Sequence, residues 1–298
     1  MVLILGATGM FGSRVLRETA ARGTPTRALV HSPGRAPELE KAGVEVAIGD
    51  LDRPGTLARA FEGVEAVFVV SPMDDRIEIR ERNALSAAQQ AGVRRVVKLY
   101  GAVRHHGDPL DALHLASIDA IRASGLSWAL VSPNSVMETS LYSQADAIKQ
   151  AGALFGCTGD GAVGLVAADD VARAAAVVLT ERDESGANYE LTGPSSLTMS
   201  EIARTMSEVL GRSIGYVDMP EDDFRTLLVN DAGMPEDVVD MEVMLHMAAW
   251  RRGDADLVTD TYRELTGRAP TSLAEWVAEN RDAFEPAGSS ARAPANSS

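Results

Sequence analysis

The sequence reads Leu3-Ile4-Leu5-Gly6-Ala7-Thr8-Gly9-Met10-Phe11-Gly12-Ser13-Arg14 near its first residue, an apolar run followed by three glycines at intervals of three. The apolar run predicts a strand, and the amphipathic residues 11–22 predict a helix. Gly6 permits a sharp turn, Gly9 lets the backbone approach a ligand, and Gly12 permits close packing of helix on strand. Because a helix N-terminus offers free N–H groups and a partial positive charge, this stretch predicts a binding site for a dinucleotide pyrophosphate.

The composition is that of a globular protein and limits its partners. A chain of 298 residues, 45% of them hydrophobic, is long enough for one large domain or two modest ones. The net charge of −15 opposes binding to nucleic acid and gives no general attraction to anionic lipid. Cys157 is the only cysteine, so no intrachain disulfide forms, and a reducing cytoplasm is expected. The first residues contain no basic leader, and no apolar run approaches the roughly 20 residues that span a bilayer, so neither secretion nor membrane insertion is expected.

Apolar runs alternate with helical patterns through the first half of the chain. The runs at 2–5, 26–30, 44–48, 66–70, 96–99 and 128–131 predict strands, with helices near 11–22, 54–61, 76–91 and 112–123. This alternation predicts an α/β fold of the Rossmann type, a doubly wound parallel sheet with helices on both faces. Right-handed crossovers bring the loops after the strands to one edge of such a sheet. The expected ligand-binding loops are therefore 6–12, 31–35, 50–51, 71–72, 100–102 and 132–134.

The pattern becomes mainly helical in the second half of the chain. Strands are expected at 188–192, extending the same sheet, and at 214–217, and helices at 138–152, 167–179, 200–210, 236–251, 255–266 and 273–280. We therefore expect a dinucleotide-binding domain over 1–200 and a smaller, mainly helical substrate or lid region over 201–284, with lid elements interleaved from about 138–165. The Pro-, Ala- and Ser-rich residues 285–298 predict a disordered tail.

Several further motifs combine with the glycine turn to give a resemblance over the chain as far as Phe284. They are Gly6-Ala-Thr-Gly9-Met-Phe-Gly12, Arg27-Ala-Leu-Val-His31, Gly43-Val-Glu-Val-Ala-Ile-Gly-Asp50-Leu, Gly63-Val-Glu-Ala-Val-Phe, Ala91-Gly-Val-Arg-Arg-Val-Val-Lys-Leu, Ser124-Gly-Leu-Ser-Trp and Pro133-Asn-Ser-Val-Met-Glu138. Together they resemble the NmrA-like type of atypical short-chain dehydrogenase/reductases. This family includes NAD(P)H-dependent quinone and azo-compound reductases and redox-sensing regulators that have no catalytic activity.

The choice of cofactor depends on the end of the second predicted strand. The stretch Val30-His31-Ser32-Pro33-Gly34-Arg35 contains no acid that would bind ribose hydroxyls, and a cation there favours a 2′-phosphate. Similar sequences often have arginine where His31 stands, so His31 weakens this prediction, and Arg35 and Ser32 carry it. We therefore expect NADP(H) in preference to NAD(H). The alternative is that His31 and Arg35 are only solvated loop residues that bind no phosphate. Asp50-Leu51 resembles the adenine-contacting turn of the family. The alternatives are that Asp50 caps the helix predicted after Pro54 or that it orders its own loop. The predicted cofactor-binding residues are Gly6, Thr8, Gly9, Met10, Phe11, Gly12, His31, Ser32, Arg35, Asp50, Leu51, Ser71, Pro72 and Pro133.

The reacting residues are less well defined. Typical short-chain reductases use a Tyr-x-x-x-Lys pair to move a proton, but this sequence has none, and His114 and Ile118 stand at the corresponding positions. His114 is either a proton donor or a hydrogen-bonded structural histidine. Tyr100, at a position where the family commonly has serine, either donates its hydroxyl proton to a substrate carbonyl or fills the nicotinamide pocket. Lys98 is expected to be an alternate-face strand residue, and no metal site is expected because no ligand cluster exists.

These features favour an NAD(P)H-dependent oxidoreductase that transfers hydride to a small apolar conjugated acceptor, such as a quinone or carbonyl compound. Hydride transfer to a quinone requires alignment and exclusion of water more than a strong acid, so the missing tyrosine–lysine pair is tolerated. The alternative is a non-catalytic NADP(H)-binding sensor of the NmrA type, and a third hypothesis is an isomerase or epimerase. The expected partner is a small apolar or aromatic molecule, and a monomer and a homodimer are equally compatible with the resemblance.

Overall fold

The computed structural model describes residues 1–41, 43–101 and 104–286. Its strands are β1 Val2–Ile4, β2 Thr26–Val30, β3 Glu45–Ile48, β4 Ala66–Val69, β5 Arg95–Leu99, β6 Ser127–Pro133, β7 Ser135–Val136, β8 Ala153–Gly156, β9 Ala162–Val163, β10 Leu165–Val166, β11 Ala187–Leu191, β12 Leu197–Thr198 and β13 Gly215–Asp218. Its helices are α1 Met10–Ala21, α2 Ala36–Lys41, α3 Ala58–Phe61, α4 Ile77–Gln90, α5 Pro109–Ala123, α6 Met137–Tyr142, α7 Ala145–Ala151, α8 Ala168–Thr180, α9 Met199–Leu210, α10 Glu221–Thr226, α11 Glu236–Val238, α12 Leu245–Arg252, α13 Thr261–Thr266 and α14 Leu273–Glu279. Single turns of 3₁₀-helix occupy Pro33–Arg35, Pro54–Thr56 and Arg281–Ala283, and the π-helical segments are Leu227–Asp231 and Val239–Met244.

A seven-stranded sheet in the order β11-β6-β5-β4-β1-β2-β3 forms the centre of the fold. Every neighbouring pair in it is parallel. The central strands β1, β4 and β5 are buried throughout, and β1 and β4 are wholly apolar, because helices cover both faces of a parallel sheet. The predicted α/β, Rossmann-type doubly wound fold is confirmed. The parallel arrangement brings the C-terminal ends of these strands, and hence the loops that follow them, to one edge of the sheet.

Four predicted helices differ from the observed elements. The helix predicted over 236–251 is α11, a π-helical segment and α12 in succession. The segment 54–61 is a 3₁₀ turn followed by the four-residue α3. The helix predicted over 138–152 is divided into α6 and α7, and the intervening Gln144 accepts a hydrogen bond from the N–H of Phe155 (2.7 Å). Only the second half of 255–266 is helical, because the Thr259 N–H donates to Thr192 Oγ1 and the Thr259 hydroxyl donates to the carbonyl of Glu190. Hydrogen bonds to other segments of the chain thus interrupt the last two of these helices, and periodicity does not report such bonds.

The described chain divides into two compact units that interleave along the sequence. The first unit comprises Met1–Asn134, Val166–Thr192 and Thr259–Pro270. The second comprises Ser135–Leu165, Gly193–Val258 and the described residues from Thr271 onward. The chain therefore passes from one unit to the other five times. The expected boundary at residue 200, with lid elements interleaved at 138–165, requires only three such passages. Residues 287–298, most of the tail predicted to be disordered, lie outside the described residues.

Each unit has its own core. In the first, side chains of the sheet such as Leu3 and Val67 pack with α3 and α4, which contribute Phe61 and Leu85. In the second, α9 begins with a capping box in which Thr198 and Glu201 hydrogen-bond each other's backbone. Rings of Tyr142, Trp276 and Phe284 also pack together in the second unit, with centroids 5.3–6.0 Å apart. No helix within the described residues is both long and apolar enough to cross a bilayer.

Candidate active site

The turn between β1 and α1 leaves no space for side chains at two of its three glycines. Gly6 has φ +60°, and a Cβ there would lie 2.8 Å from Cγ1 of Val70. A Cβ at Gly12 would lie 2.1 Å from the carbonyl oxygen of Gly6, well inside van der Waals contact. The N–H of Gly9 closes the turn by donating to the same oxygen at 2.8 Å. The glycines therefore allow α1 to begin directly against the end of β1.

The N-terminus of α1 is open to an anion. Gly9 is the N-cap residue and has no side chain to accept the first N–H groups, and the first turn contains no acid. Thr8 and Gly9 are exposed, while Met10 and Phe11 are half-buried. Free N–H groups and the positive end of a 12-residue helix are suited to a phosphate. The cradle fits the pyrophosphate of a dinucleotide.

The loop after β2 carries the cations that sequence reasoning selected. His31 and Arg35 are exposed, and Ser32 is half-buried as the N-cap residue of the 3₁₀ turn, without a side-chain capping bond. Within the described residues, neither His31 nor Arg35 forms an ion pair, although most other arginines of this unit do. Both side chains remain available to an anionic group.

Asp50 orders its own loop after β3. Its carboxylate accepts the N–H of Asp52 at 2.9 Å and lies 3.7 Å from the guanidinium of Arg53. The carbonyl of Leu51 accepts a hydrogen bond from the amide of Asn83 on α4 (2.8 Å). The loop-ordering role considered for Asp50 is therefore observed, and its turn is held against α4.

A charged clamp, formed by Asp52, Asp74, Arg76 and Arg80, joins the loops after β3 and β4. Arg80 donates to both carboxylate oxygens of Asp74 (2.7 and 2.8 Å) and to Asp52 at 3.1 Å, and Arg76 also pairs with Asp52. Hydrogen bonds from Arg76 and Arg80 lower the pKa of Asp52, and the bond from Arg80 lowers the pKa of Asp74. Sequence reasoning missed this clamp because its members are up to 28 residues apart in different elements.

Ser71 carries an orphaned hydroxyl at this edge of the sheet. The residue is 9% exposed, and its Oγ has no hydrogen-bond partner in the described part of the chain. A buried hydroxyl without a partner is costly unless a ligand or water satisfies it. Pro72 next to it is exposed, and Pro133 is buried as the last residue of β6, in register with Leu191. The orphaned hydroxyl, the glycine cradle and the exposed side chains of His31 and Arg35 all fit a bound dinucleotide.

Tyr100 follows β5, but its hydroxyl is already engaged. It donates to Oδ1 of Asp111 on α5 at 2.5 Å, and Oδ2 of Asp111 accepts the N–H of Gly107. Burial and the bond to Asp111 raise the pKa of Tyr100 well above its ordinary value. The phenol is thus protonated at neutral pH, and its proton points to a carboxylate.

His114 is 3% exposed, and its ring meets that of Tyr100 edge-on at 5.4 Å. Within the described residues neither ring nitrogen has a hydrogen-bond partner, so the hydrogen-bonded structural histidine of the sequence analysis is not observed. Burial lowers the pKa of His114 to about 3, with further contributions from Lys98 and His105. The expectation that this imidazole titrates near neutral pH does not hold in so dry an environment.

Lys98, expected to be a simple alternate-face residue, forms a buried ion pair. Its Nζ lies 2.5 Å from Oε2 of Glu81 on α4, and both side chains are almost fully enclosed. Lys98 precedes Tyr100 by two residues, so both side chains point to the same side of the sheet. The only sequence signal was a lysine inside the apolar run Val96-Val97-Lys98-Leu99.

The remaining candidates for reactive groups are structural. Burial raises the pKa of the Cys157 thiol to about 11, which makes it a poor nucleophile at neutral pH. His105 pairs with Asp108, the N-cap residue of α5, at 2.8 Å. Among the described residues, no three His, Cys, Asp or Glu side chains converge as a metal-binding group.

Comparison with known proteins gives matches along nearly the whole chain. The profile of the NmrA-like family matches residues 1–276. An NAD(P)H azoreductase of Xenophilus azovorans is 32% identical over 95% of this chain and 99% of its own length. The (4-alkanoyl-5-oxo-2,5-dihydrofuran-3-yl)methyl phosphate reductase of Streptomyces griseus is 35% identical over 96% of this chain and all of its own. The crystal structure of the NADPH-dependent quinone oxidoreductase QOR2 of Escherichia coli, complexed with NADPH, superposes with a TM-score of 0.87, 28% identity and coverage of 94% of this chain and 100% of that one.

Proposed function

The chain belongs to the NmrA-like family, and on this basis we propose that it is an NAD(P)H-dependent reductase of small apolar conjugated acceptors, such as quinones or related carbonyl compounds. The observation that carries the proposal is the cofactor cradle: Gly6 and Gly12 leave no space for side chains, and α1 begins without an acid or a side-chain cap. Relatives named as an azoreductase, a dihydrofuranone phosphate reductase and a quinone oxidoreductase support the reaction class.

In this proposal the cofactor is NADP(H), with NAD(H) as the weaker ligand. The turn from Gly6 to Gly12, including Thr8, Gly9, Met10 and Phe11, holds the pyrophosphate. His31, Ser32 and Arg35 receive the 2′-phosphate, since the described residues offer His31 and Arg35 no ionic partner. Asp50 and Leu51 border the adenine, and the clamp around Arg80 fixes their loop. The hydroxyl of Ser71, with Pro72 and Pro133, completes the contacts.

When bound, the reduced nicotinamide supplies a hydride to the acceptor. A quinone that gains this hydride and one proton becomes a hydroquinone, while the cofactor becomes NADP⁺. The protein's part is to hold the reactants in line, exclude water and stabilise the oxygen on which the electron pair accumulates. Tyr100 and His114 are the proposed groups nearest the chemistry. A protein of this kind works in the cytoplasm as a monomer or homodimer, without nucleic acid or a metal.

The test is calorimetric titration with NADPH and NADH, followed by loss of nicotinamide absorbance with a panel of quinones, azo dyes and conjugated lactones. We expect tight binding of NADPH, weaker binding of NADH, and oxidation of NADPH that depends on the acceptor. Binding without turnover of any acceptor would favour the alternative of a non-catalytic sensor, which the engaged Tyr100 hydroxyl and the missing Tyr-x-x-x-Lys pair also favour. If neither nucleotide binds, the proposal is wrong.

A further inference from the structure

The carboxylate of Asp111 is buried without a cationic partner. The residue is 7% exposed, and its two oxygens accept hydrogen bonds from the Tyr100 hydroxyl at 2.5 Å and from the N–H of Gly107 at 2.8 Å. Both donors are uncharged, and among the residues that the structure describes Asp111 forms no ion pair. Since burial of a charge is costly unless the charge is compensated, this carboxylate needs a reason beyond its present partners.

The basic side chains that act on Tyr100 and His114 have carboxylates of their own. They form the pairs Lys98–Glu81, His105–Asp108 and Arg122–Asp119. The positive end of α5, where Asp111 lies in the first turn, offsets part of its charge, but Asp108 shares that end as the N-cap residue. A net negative charge therefore remains beside Tyr100.

Tyr100 connects this charge to the edge of the sheet where the cofactor loops begin. It is half-buried, not enclosed, and its N–H donates to the carbonyl of Val131 on β6 at 2.9 Å. Lys98 of β5 is in register with Val69 of β4, so Tyr100 and Ser71 each lie two residues beyond a paired position. The ring of Tyr100 is thus at the level of the orphaned Ser71 hydroxyl.

The order of the strands assigns this part of the edge to one half of a dinucleotide. Such a ligand lies across the point where the strand order reverses, with its pyrophosphate at the turn after β1. In the order β11-β6-β5-β4-β1-β2-β3, an adenosine half over β2 and β3 leaves the nicotinamide half over β4, β5 and β6. Tyr100, directly after β5, belongs to the nicotinamide half.

The hydroxyl of Tyr100 can only accept a further hydrogen bond. A phenol has one proton, and that of Tyr100 lies in the bond to Asp111. The residue therefore presents to a ligand the lone pairs of its oxygen, which the carboxylate behind it makes more negative. Such a surface is suited to a positively charged ring and repels an oxyanion.

We propose that the Tyr100–Asp111 pair stabilises the oxidised, positively charged nicotinamide ring of the bound cofactor. This inference rests on the proposed function, and specifically on the binding of NADP(H). Hydride transfer moves one hydrogen and two electrons from the nicotinamide to the acceptor, so the ring changes from neutral to singly positive. The acceptor gains the negative charge and takes one proton from water. Tyr100 is the member of the pair next to the ring, and Asp111 is a positioning residue that acts through it.

The test compares two forms of the cofactor. NADP⁺ and NADPH have the same adenine, riboses and phosphates, so the ratio of their Kd values reports the surroundings of the nicotinamide ring. Calorimetric titrations with each nucleotide, without any acceptor, are made on wild type, Asp111→Asn and Tyr100→Phe. Asp119→Asn is the matched control, because it removes an exposed carboxylate from the same helix.

We expect the Kd for NADP⁺ to rise by about tenfold in Asp111→Asn and in Tyr100→Phe, with the Kd for NADPH changed by less than about twofold. This change in the ratio raises the reduction potential of the bound couple by about 30 mV, which makes the bound NADPH a weaker hydride donor. The control should change neither Kd. In Tyr100→Phe, adding Asp111→Asn should change the ratio by less than about twofold, since the pair acts as one unit.

Equal weakening of NADP⁺ and NADPH binding would show that Asp111 only holds its loop and would overturn the inference, as would additive effects of the two substitutions. If Asp111→Asn does not fold, Tyr100→Phe, which removes a single oxygen, carries the same prediction. A wild type that binds both nucleotides but reduces no acceptor would refute the reductase function, while the ratios still decide this inference. If wild type binds neither nucleotide, both are wrong.

Discussion

A Cβ on Gly12 would lie 2.1 Å from the carbonyl oxygen of Gly6, which places the backbone of α1 directly against the turn that follows β1. Since the obstructing atom is backbone, it cannot rotate away as a flexible side chain would. The geometry of the cofactor cradle therefore depends on the absence of one methyl group.

Gly12→Ala should disrupt the cradle. We expect a loss of about 1–3 kcal/mol in the free energy of unfolding, the usual cost of overpacking, and at least a tenfold weaker affinity for NADPH by calorimetry. Gly215→Ala is the control, since a Cβ there meets nothing within 4 Å. Normal NADPH affinity in Gly12→Ala would contradict the assignment of this turn to the pyrophosphate.

Arg35→Ala should separate the two cofactors. A charge-assisted hydrogen bond to phosphate contributes about 1.5–3 kcal/mol, so the Kd for NADPH should rise by roughly 10- to 100-fold while that for NADH stays unchanged. His31→Ala should act in the same direction. Arg59→Ala removes an exposed arginine from α3 and should affect neither cofactor. Equal losses for NADPH and NADH would argue against a 2′-phosphate contact.

Arg80→Met should release the clamp between the loops after β3 and β4. Since the pKa values of Asp52 and Asp74 are lowered in the folded protein, their contribution to stability is present above the unfolded value of about 3.9 and is lost as the pH falls through the folded value. The variant should therefore melt a few degrees below wild type at pH 6, with a smaller difference at pH 3.5. Affinities for NADPH and NADH should fall by the same factor.

The control for the clamp is Arg82→Met, which breaks an exposed pair with Glu78 on the same helix. Exposed i,i+4 pairs contribute only about 0.3–0.5 kcal/mol, so melting should change little at either pH. A loss in Arg80→Met that does not depend on pH would mean that packing of the arginine stem, and not its charge, holds the loops.

Trp276→Phe should destabilise the second unit. The indole N–H donates to Oε1 of Glu138 at 3.1 Å, and Glu138 is 5% exposed. Loss of this donor should lower the free energy of unfolding in urea by about 1–3 kcal/mol. In a protein that already carries Glu138→Gln, Trp276→Phe should lower it by less, because the two residues are coupled. Trp128→Phe is the comparison: that ring is only half-buried, and Phe retains its contact with the guanidinium of Arg122. If Trp276→Phe and Trp128→Phe lower the free energy of unfolding equally, the loss comes from side-chain volume and not from the hydrogen bond to Glu138.

The sequence predicts best those elements that depend only on residues close together in the chain. The turn from Gly6 to Gly12 and the alternation of apolar strands with helices depend on neighbouring residues, and both appear as expected. The Glu81–Lys98 pair depends on two elements 17 residues apart, and the clamp around Arg80 on loops 24–28 residues apart. Periodicity reports which face of a helix is buried but not what that face meets, so neither network was predicted.

The chemical state of His114 could not be predicted from the sequence either. Alignment with the short-chain reductase pattern selected the residue, but its chemical state depends on burial and on Lys98, which become visible only in three dimensions. Likewise, residues 255–266 had a helical pattern, and nothing in that pattern indicated that α13, in the segment 259–270, packs with α8 and β11 of the first unit.

The placement of residues 259–270 also constrains how the protein is made. Tyr262 is 1% exposed, and its hydroxyl accepts a hydrogen bond from Arg173 of α8 at 2.7 Å. The strands of the central sheet are drawn from earlier segments, yet the side of α8 that Tyr262 contacts stays open until residues 259–270 have been synthesised. A nascent chain must therefore wait with the side of α8 that faces α13 uncovered, and a chain truncated before residue 259 should be an aggregation-prone fragment instead of a minimal nucleotide-binding domain.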